Sequence, residues 1–236
     1  EVANLTRSIL IRADETGGPI DESDNPTAQR GGHIMAHHGG EAYIDSIELY
    51  KMGQAGVMAR YPFHWHHAGD APGQFIKNSS IHHSYQRCIT IHRTNKVLLQ
   101  NNVCFNFKGH GYFLEDGIEI ENKIIRNLAI KATAPSANKL LLASDDIAHS
   151  EGQGRFPSVS GFWISHPNNY ITHNVVSGSV GTGFWMSFER EVKDQSGNVV
   201  ARPLTSATDT FNYNTAHSMK TGITWDGAPG WQSANN

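Results

Sequence analysis

Apolar residues along this chain come in short bursts, each broken by a polar residue and followed by a second burst. The plan recurs in "YIDSIELYKMGQ" from Tyr43, "FIKNSSIHHSYQRCITIHRTNK" from Phe75 and "VLLQNNVCFNFKGHGYFLEDG" from Val97. It returns in "KIIRNLAIKA" from Lys123, "YITHNVVSGSVGTGFWMSFE" from Tyr170 and "TFNYNTAHSMKTGITWDG" from Thr210. In each unit a short apolar strand meets an Asn or Ser, a second β-rich strand follows, and a Gly-rich or polar corner closes it. Runs rich in Ile, Val, Phe and Thr read as strands. From Phe75 to Val97 is 22 residues, one coil of a parallel β-helix. The pattern predicts an all-β solenoid forming a single domain over residues 1–236.

A lone coil cannot bury its apolar face, so coils must stack. Asn101, Asn102, Asn127, Asn174 and Asn214 fall at repeated corners, where side-chain amides can ladder along the stack or serve as turn residues. Glycines supply positive φ at corners. Two segments interrupt the repeat, near 13–32 and 132–158. Insertions this long in a compact fold usually carry function or mobility. Within the second, "NKLLLA" reads as a short helix or a packing patch.

Composition narrows the class. Only 17% of residues are charged, 23 are glycine, and the net charge of −3 offers no basic field for nucleic acid. No apolar run approaches the roughly 18 residues of a membrane span. The chain starts at Glu1 rather than Met and carries no signal peptide, which reads as a processed chain or a domain excised from a longer one. Fourteen histidines are the outlier.

The stretches "RYPFHWHHAGD", "SSIHHSYQRCITIHRTNKVLLQNNVCFNFKGHGYFLEDGIEIEN" and "GFWISHPNNYITHNVVSGSVGTGFWMSFE" resemble the β-helix region of the cell migration-inducing hyaluronidase and transmembrane protein 2 family. The resemblance runs from about Glu1 to Gly227. It implies a right-handed parallel β-helix, an extracellular or secreted setting that allows cell-surface attachment through other parts, and hyaluronan or a similar polysaccharide as partner. The glycine-rich domain that precedes this region in the family is not in this sequence.

Histidines supply the first candidate site. Alternate strand residues share a face, so His64 and His66 point together while His67 points away or into a corner. In "GGHIMAHHGG", His33 and His37 share a face likewise. Stacked, His33, His37, His64 and His66 would hold zinc or a similar divalent transition metal, completed or oriented by Asp70 or Glu41. Neutral imidazoles stacking on the solenoid surface are the competing reading.

Acids supply the second. Glycosidic cleavage needs two carboxyl groups set apart. Adjacent Glu115 and Asp116 face opposite sides of a strand, so one of them would pair with Asp70, Glu189 or Asp226. His92 and His110 are further acid–base candidates. Aligning "QRCITIHRT" with "KGHGYFLED" sets Arg93 beside Glu115 and puts Cys88 and Cys104 in different columns, which favours two free thiols. His83, Phe105, Ser177 and His217 share another column and read as packing.

"GFWIS" and "GFWMS" repeat an aromatic pair. Phe162 and Phe184 read as core, whereas Trp163 and Trp185 stack on neighbouring coils as a platform for sugar faces, with Trp65 and Arg93 as further substrate contacts. Two functions follow: a hydrolase or lyase acting on a uronic-acid polysaccharide, or a non-catalytic glycan-binding or adhesion module.

Overall fold

A computed structural model describes residues 2–13, 29–146 and 159–226, with Asp226 by its backbone only. The described residues form the expected parallel β-helix. One sheet stacks Ile9–Arg12, Ile47–Tyr50, Ser80–His82, Val103–Lys108, Leu128–Thr133, Val175–Ser177 and Thr215–His217. A second stacks Ile34–His37, Phe63–Asp70, Ile89–Asn95, Tyr112–Leu114, Ser160–Ile164, Thr182–Ser187 and Thr221–Asp226. A third holds six short strands from Tyr43–Asp45 to Thr210–Asn212. All neighbours in these sheets run parallel, so each coil crosses all three in turn.

The asparagine ladder is real and selective. Asn102 Nδ2 donates to Asn127 Oδ1, Asn127 to Asn174 and Asn174 to Asn214, at 3.0–3.1 Å. Each of these amides also donates to a corner carbonyl: Ile76, Leu99 or Ile124. Steps of 23 residues from Ser79 to Asn102 and 25 to Asn127 give the coil length, and the 47-residue step to Asn174 contains the insertion. Asn101 stays out of the buried row and bonds Asn78 at the surface. The residue before each ladder position is left-handed without being glycine: Asn78, Asn101, Arg126, His173 and Tyr213 have φ between 53° and 57°. Glycine was expected at such corners. A non-Gly residue here costs roughly 1–2 kcal/mol, and the buried amide bonds one position later offset it.

The centre of the solenoid is a continuous apolar core, with buried polar groups held in hydrogen-bonded rows and pairs around it. Tyr112, Phe162 and Phe184 stack at 4.5 and 4.9 Å in one inward column. Trp65 occupies the next inward column with no exposure, its Nε1 donating to Gln74 Oε1 at 2.9 Å. It cannot meet a sugar, because its strand position turns it inward.

Cys88 and Cys104 form a disulfide, with Cα atoms 6.1 Å apart. Free thiols were expected because the two occupy different columns. Column comparison tests only residues stacked along the axis. Cys104 lies in the first sheet and Cys88 just before a strand of the second, so the bridge crosses the coil interior. The column alignment also slips by one residue: Tyr112 registers with Ile89 and Leu114 with Ile91, which sets Glu115 opposite His92 and Asp116 opposite Arg93. The packing column likewise contains His82, not His83, beside Phe105, and His217 joins it as expected through Ser177.

Much of both insertions, 14–28 and 147–158, lies outside the described residues. In 132–146, two 3-10 turns at Ala137–Lys139 and Ala143–Asp145 bracket "LLL". They lie against the second sheet, where Asp145 is buried with Arg87.

Candidate active site

The outer face of the second sheet gathers the chemistry. Phe63–Asp70 carries His64 and His66 at alternate positions, and His66 registers with His92 one coil on. Their Nδ1 atoms lie 3.0 Å apart. The ligating atoms of His64, His66 and His92 all fall within 4.8 Å of one another.

A bulge between His66 and Gly69 sets the rim. His67 has φ 55° and Arg93 φ 48°, both in the left-handed region. Strict alternation therefore ends at these residues. His67 turns back over the cluster, its ring 4.5 Å from His92. Arg93 stays on the same side as its neighbour His92, and both reach Asp116: His92 Nε2 at 3.2 Å, and Arg93 through Nε.

The third coil supplies the acids. The strand ends at Leu114, so Glu115 and Asp116 do not alternate. Glu115 Oε2 lies 3.7 Å from His92 Nδ1 and 3.8 Å from His64 Nε2, while Asp116 takes the other edge of the His92 ring. The expectation that these neighbours face opposite sides fails here. Tyr61 Oη donates to Glu115 Oε1 at 3.4 Å.

Glu119 is the residue that sequence reasoning missed. Its fully buried carboxylate accepts the backbone N–H of Arg93, Asp116, Gly117 and Ile118, which fixes the turn carrying Asp116. The signal was present as Asp116-x-x-Glu119, the spacing by which an acid reaches back to an N–H three residues earlier.

Electrostatics follow burial and neighbours. Burial, then the positive character of His66 and His92, lowers His64 to about 3. Burial, then His92 and His67, lowers His66 to about 4. Both rings are therefore neutral at pH 7. Burial works against protonation of His92 as well, but the Asp116 hydrogen bond and the Glu115 charge outweigh it and raise its value. Burial pushes Asp116 up, yet hydrogen bonds from His92 and Arg93 overcome it and hold the carboxyl at about 2. Glu115 is raised by burial, against the pull of His92 and Arg87.

The remaining candidates lie apart. His37 registers with His66, the rings 5.1 Å apart, at the edge of the cluster. His33 precedes its strand and instead accepts from Arg60 Nη1 at 2.8 Å, so it does not join the four-histidine set. Asp70 sits past the bulge, exposed, paired with Lys96 and Asn95. His110 is fully buried and bonded to Ser160 Oγ and Ser144 Oγ, so substrate cannot reach it. Trp163 and Trp185 do register, rings 4.8 Å apart. Trp185 is buried, and half-buried Trp163 packs in a tilted contact on His110, ring centroids 4.5 Å apart. Of this pair, Trp163 alone has an edge to offer a sugar. The Arg93–Glu115 pair expected from the alignment is Arg93–Asp116, by the same one-residue slip.

These features define a class: a parallel β-helix with a histidine and carboxylate cluster on one outer face. The family model for the CEMIP beta-helix matches residues 29–223. The chain belongs to that family. It is 34% identical to the cell surface hyaluronidase CEMIP2 of Homo sapiens over 94% of its own length and 18% of that protein's. Identity is 33% to a cell surface hyaluronidase of Danio rerio, over 94% of the chain and 18% of the relative. It is 36% to Fibrocystin-L of Mus musculus, over 78% and 5%. The chain thus spans less than a fifth of these relatives.

Proposed function

We propose that this chain is the glycan-active part of an extracellular or cell-surface protein and cleaves a hyaluronan-like uronic-acid polysaccharide along the outer face of its second sheet. One observation carries the reading: two carboxyl groups, Glu115 and Asp116, take opposite edges of the same imidazole, His92, at a partly exposed rim beside Arg93. Cleavage of a uronic glycan needs a group to move a proton and a second polar group beside it, whether by hydrolysis or by elimination next to the uronate carboxylate. Asp116, seated between His92 and Arg93 at the rim, supplies the first, and the His92–Glu115 pair beside it the second. Arg93, whose side chain is 31% exposed, presents a guanidinium suited to a sugar carboxylate. The relatives named as hyaluronidases support the substrate class.

The test is turnover by purified protein on a panel of uronic glycans, read as new reducing or unsaturated ends. Asp116→Asn should lower the rate at least ~100-fold, the lower range for a proton-transfer group. Absence of new ends with every glycan would overturn cleavage. Glycan binding that persists without turnover, unchanged by Asp116→Asn, would leave a binding module instead.

A further inference from the structure

We infer that His64, His66 and His92, with Glu115 as a fourth donor, form a binding centre for one divalent first-row transition metal of the zinc type. The inference deepens the reading above by placing a Lewis acid in the same site, and it stands on hydrogen-bond bookkeeping. His64 Nδ1 lies 3.3 Å from the Ala59 carbonyl, which can only accept, so Nδ1 carries the proton and Nε2 is left with a lone pair. His92 Nε2 faces the Asp116 carboxylate and must likewise be the donor, so in the neutral ring that metal binding requires Nδ1 is an acceptor. Glu115 Oε2 is an acceptor too. Three acceptor atoms therefore converge, 3.7–3.8 Å apart across the two histidine–glutamate pairs.

Without an ion, one proton shared between His66 Nδ1 and His92 Nδ1 satisfies that 3.0 Å contact, and a metal takes the place of that proton. His64 Nε2 and Glu115 Oε2 are buried with no hydrogen-bond partner. Two buried lone-pair sites left this way are costly, and a cation between them removes the cost.

The outer contacts match such a centre. A ligating imidazole commonly holds its second nitrogen on a carboxylate or a backbone carbonyl, which fixes ring and tautomer. His92 uses Asp116 and His64 uses Ala59 in those two ways. Three imidazoles and one carboxylate suit zinc, cobalt, nickel or iron(II), whereas calcium and magnesium prefer oxygen throughout. The set differs from the one expected from sequence: His92, one coil along, takes the place of His33, and His37 stands beside the centre. Bound there, the metal would polarise a sugar carboxylate or a water at the rim.

The experiment strips the purified chain with a chelator, then titrates Zn²⁺ and Co²⁺, reading metal content by mass spectrometry, visible absorption of the Co²⁺ form and the shift in melting temperature. One metal per chain is expected, with a Co²⁺ spectrum of nitrogen-rich coordination. His66→Ala and His92→Ala should each weaken Zn²⁺ binding at least ~10-fold, while His33→Ala leaves it unchanged. The wild-type Co²⁺ spectrum needs no variant, so misfolding of a substituted chain does not obscure the answer. A stripped wild-type chain that takes up neither ion in stoichiometric amount overturns the proposal, as does equal affinity in the His66→Ala, His92→Ala double variant. No glycan enters these readouts. A chain that binds metal but cleaves nothing would refute the proposed function alone.

Discussion

Arg87 and Asp145 meet inside the protein, with guanidinium Nη2 3.2 Å from both carboxylate oxygens and neither side chain more than 1% exposed. The pair fastens the described part of the second insertion to the coil that carries His92. Arg87 also lies 4.3 Å over the Phe113 ring, which covers its other face. Removing one member of a buried pair leaves an uncompensated charge, a loss of about 3–5 kcal/mol. Asp145→Ala should therefore lower the denaturation midpoint sharply. An Arg87→Met, Asp145→Leu double variant should lose clearly less, because no charge is stranded. Equal losses in the single and double variants would show that the pair matters only through packing.

The Cys88–Cys104 bridge closes a loop of 16 residues across the coil interior. Constraining a loop of that length in the unfolded chain stabilises the fold by roughly 3 kcal/mol. Cys88→Ala, Cys104→Ala should unfold at correspondingly lower urea concentration. Intact-mass measurement before and after reduction under denaturing conditions checks the premise directly, since a bridged chain gains two hydrogens.

Acid should weaken the fold through His110. Burial disfavours its imidazolium, and the nearby Asp145 charge only partly opposes this, so the ring protonates at about 3. In the unfolded chain it takes a proton near the ordinary 6.5. Between those values the unfolded state binds the extra proton, so stability falls as pH drops from 6.5 towards 3 and is unaffected by this residue above 6.5. From pH 6.5 to 4.5 the loss from His110 is roughly 2–3 kcal/mol. Asp145, held below its ordinary 3.8, titrates outside that window. Denaturation of His110→Gln at pH 7, 5.5 and 4.5 should give a visibly shallower decline than wild type. Parallel declines would assign the acid sensitivity to other groups.

The coil repeat, the parallel sheets and the ladder role of four of the five candidate asparagines were legible in the sequence because they follow from period and from the chemistry of corners. The site was legible in its residue types but not in its partners. His64 and His66 were read correctly as sharing a face, since the strand is regular there. At His67, Arg93 and Glu115 the two-residue alternation stops, through left-handed residues or a strand end, and a reading based on alternation misplaces every side chain beyond that point. A one-residue slip between coils had the same effect on His92, which was set beside Leu114 when it faces Glu115. Trp65 and the disulfide were missed for a third reason: sequence columns describe stacking along the axis and carry no information about what meets across the interior.

Glu119 offers a way to test whether the Asp116 turn is built for the site. Its carboxylate receives four backbone N–H groups from two coils, with Ser165 Oγ at 3.4 Å from Oε2. Burial raises its proton affinity, while the N–H groups of Arg93 and of its own turn hold the charged form. Glu119→Gln keeps the shape but turns an NH₂ group towards N–H donors, so about half the acceptor capacity is lost. Bonds to a charged acceptor are worth about 1.5–3 kcal/mol each, and a loss near the lower figure is expected because the remaining amide oxygen still accepts. The sharper readout is local. Amide hydrogen exchange should accelerate at Arg93, Asp116, Gly117 and Ile118 while the ladder amides of Asn102 and Asn127 keep their protection. That pattern makes Glu119 a positioning residue that holds Asp116 against His92 and Arg93. Uniform loss of protection along the whole stack would instead mean that Glu119 supports the solenoid at large and that the Asp116 turn has no separate scaffold.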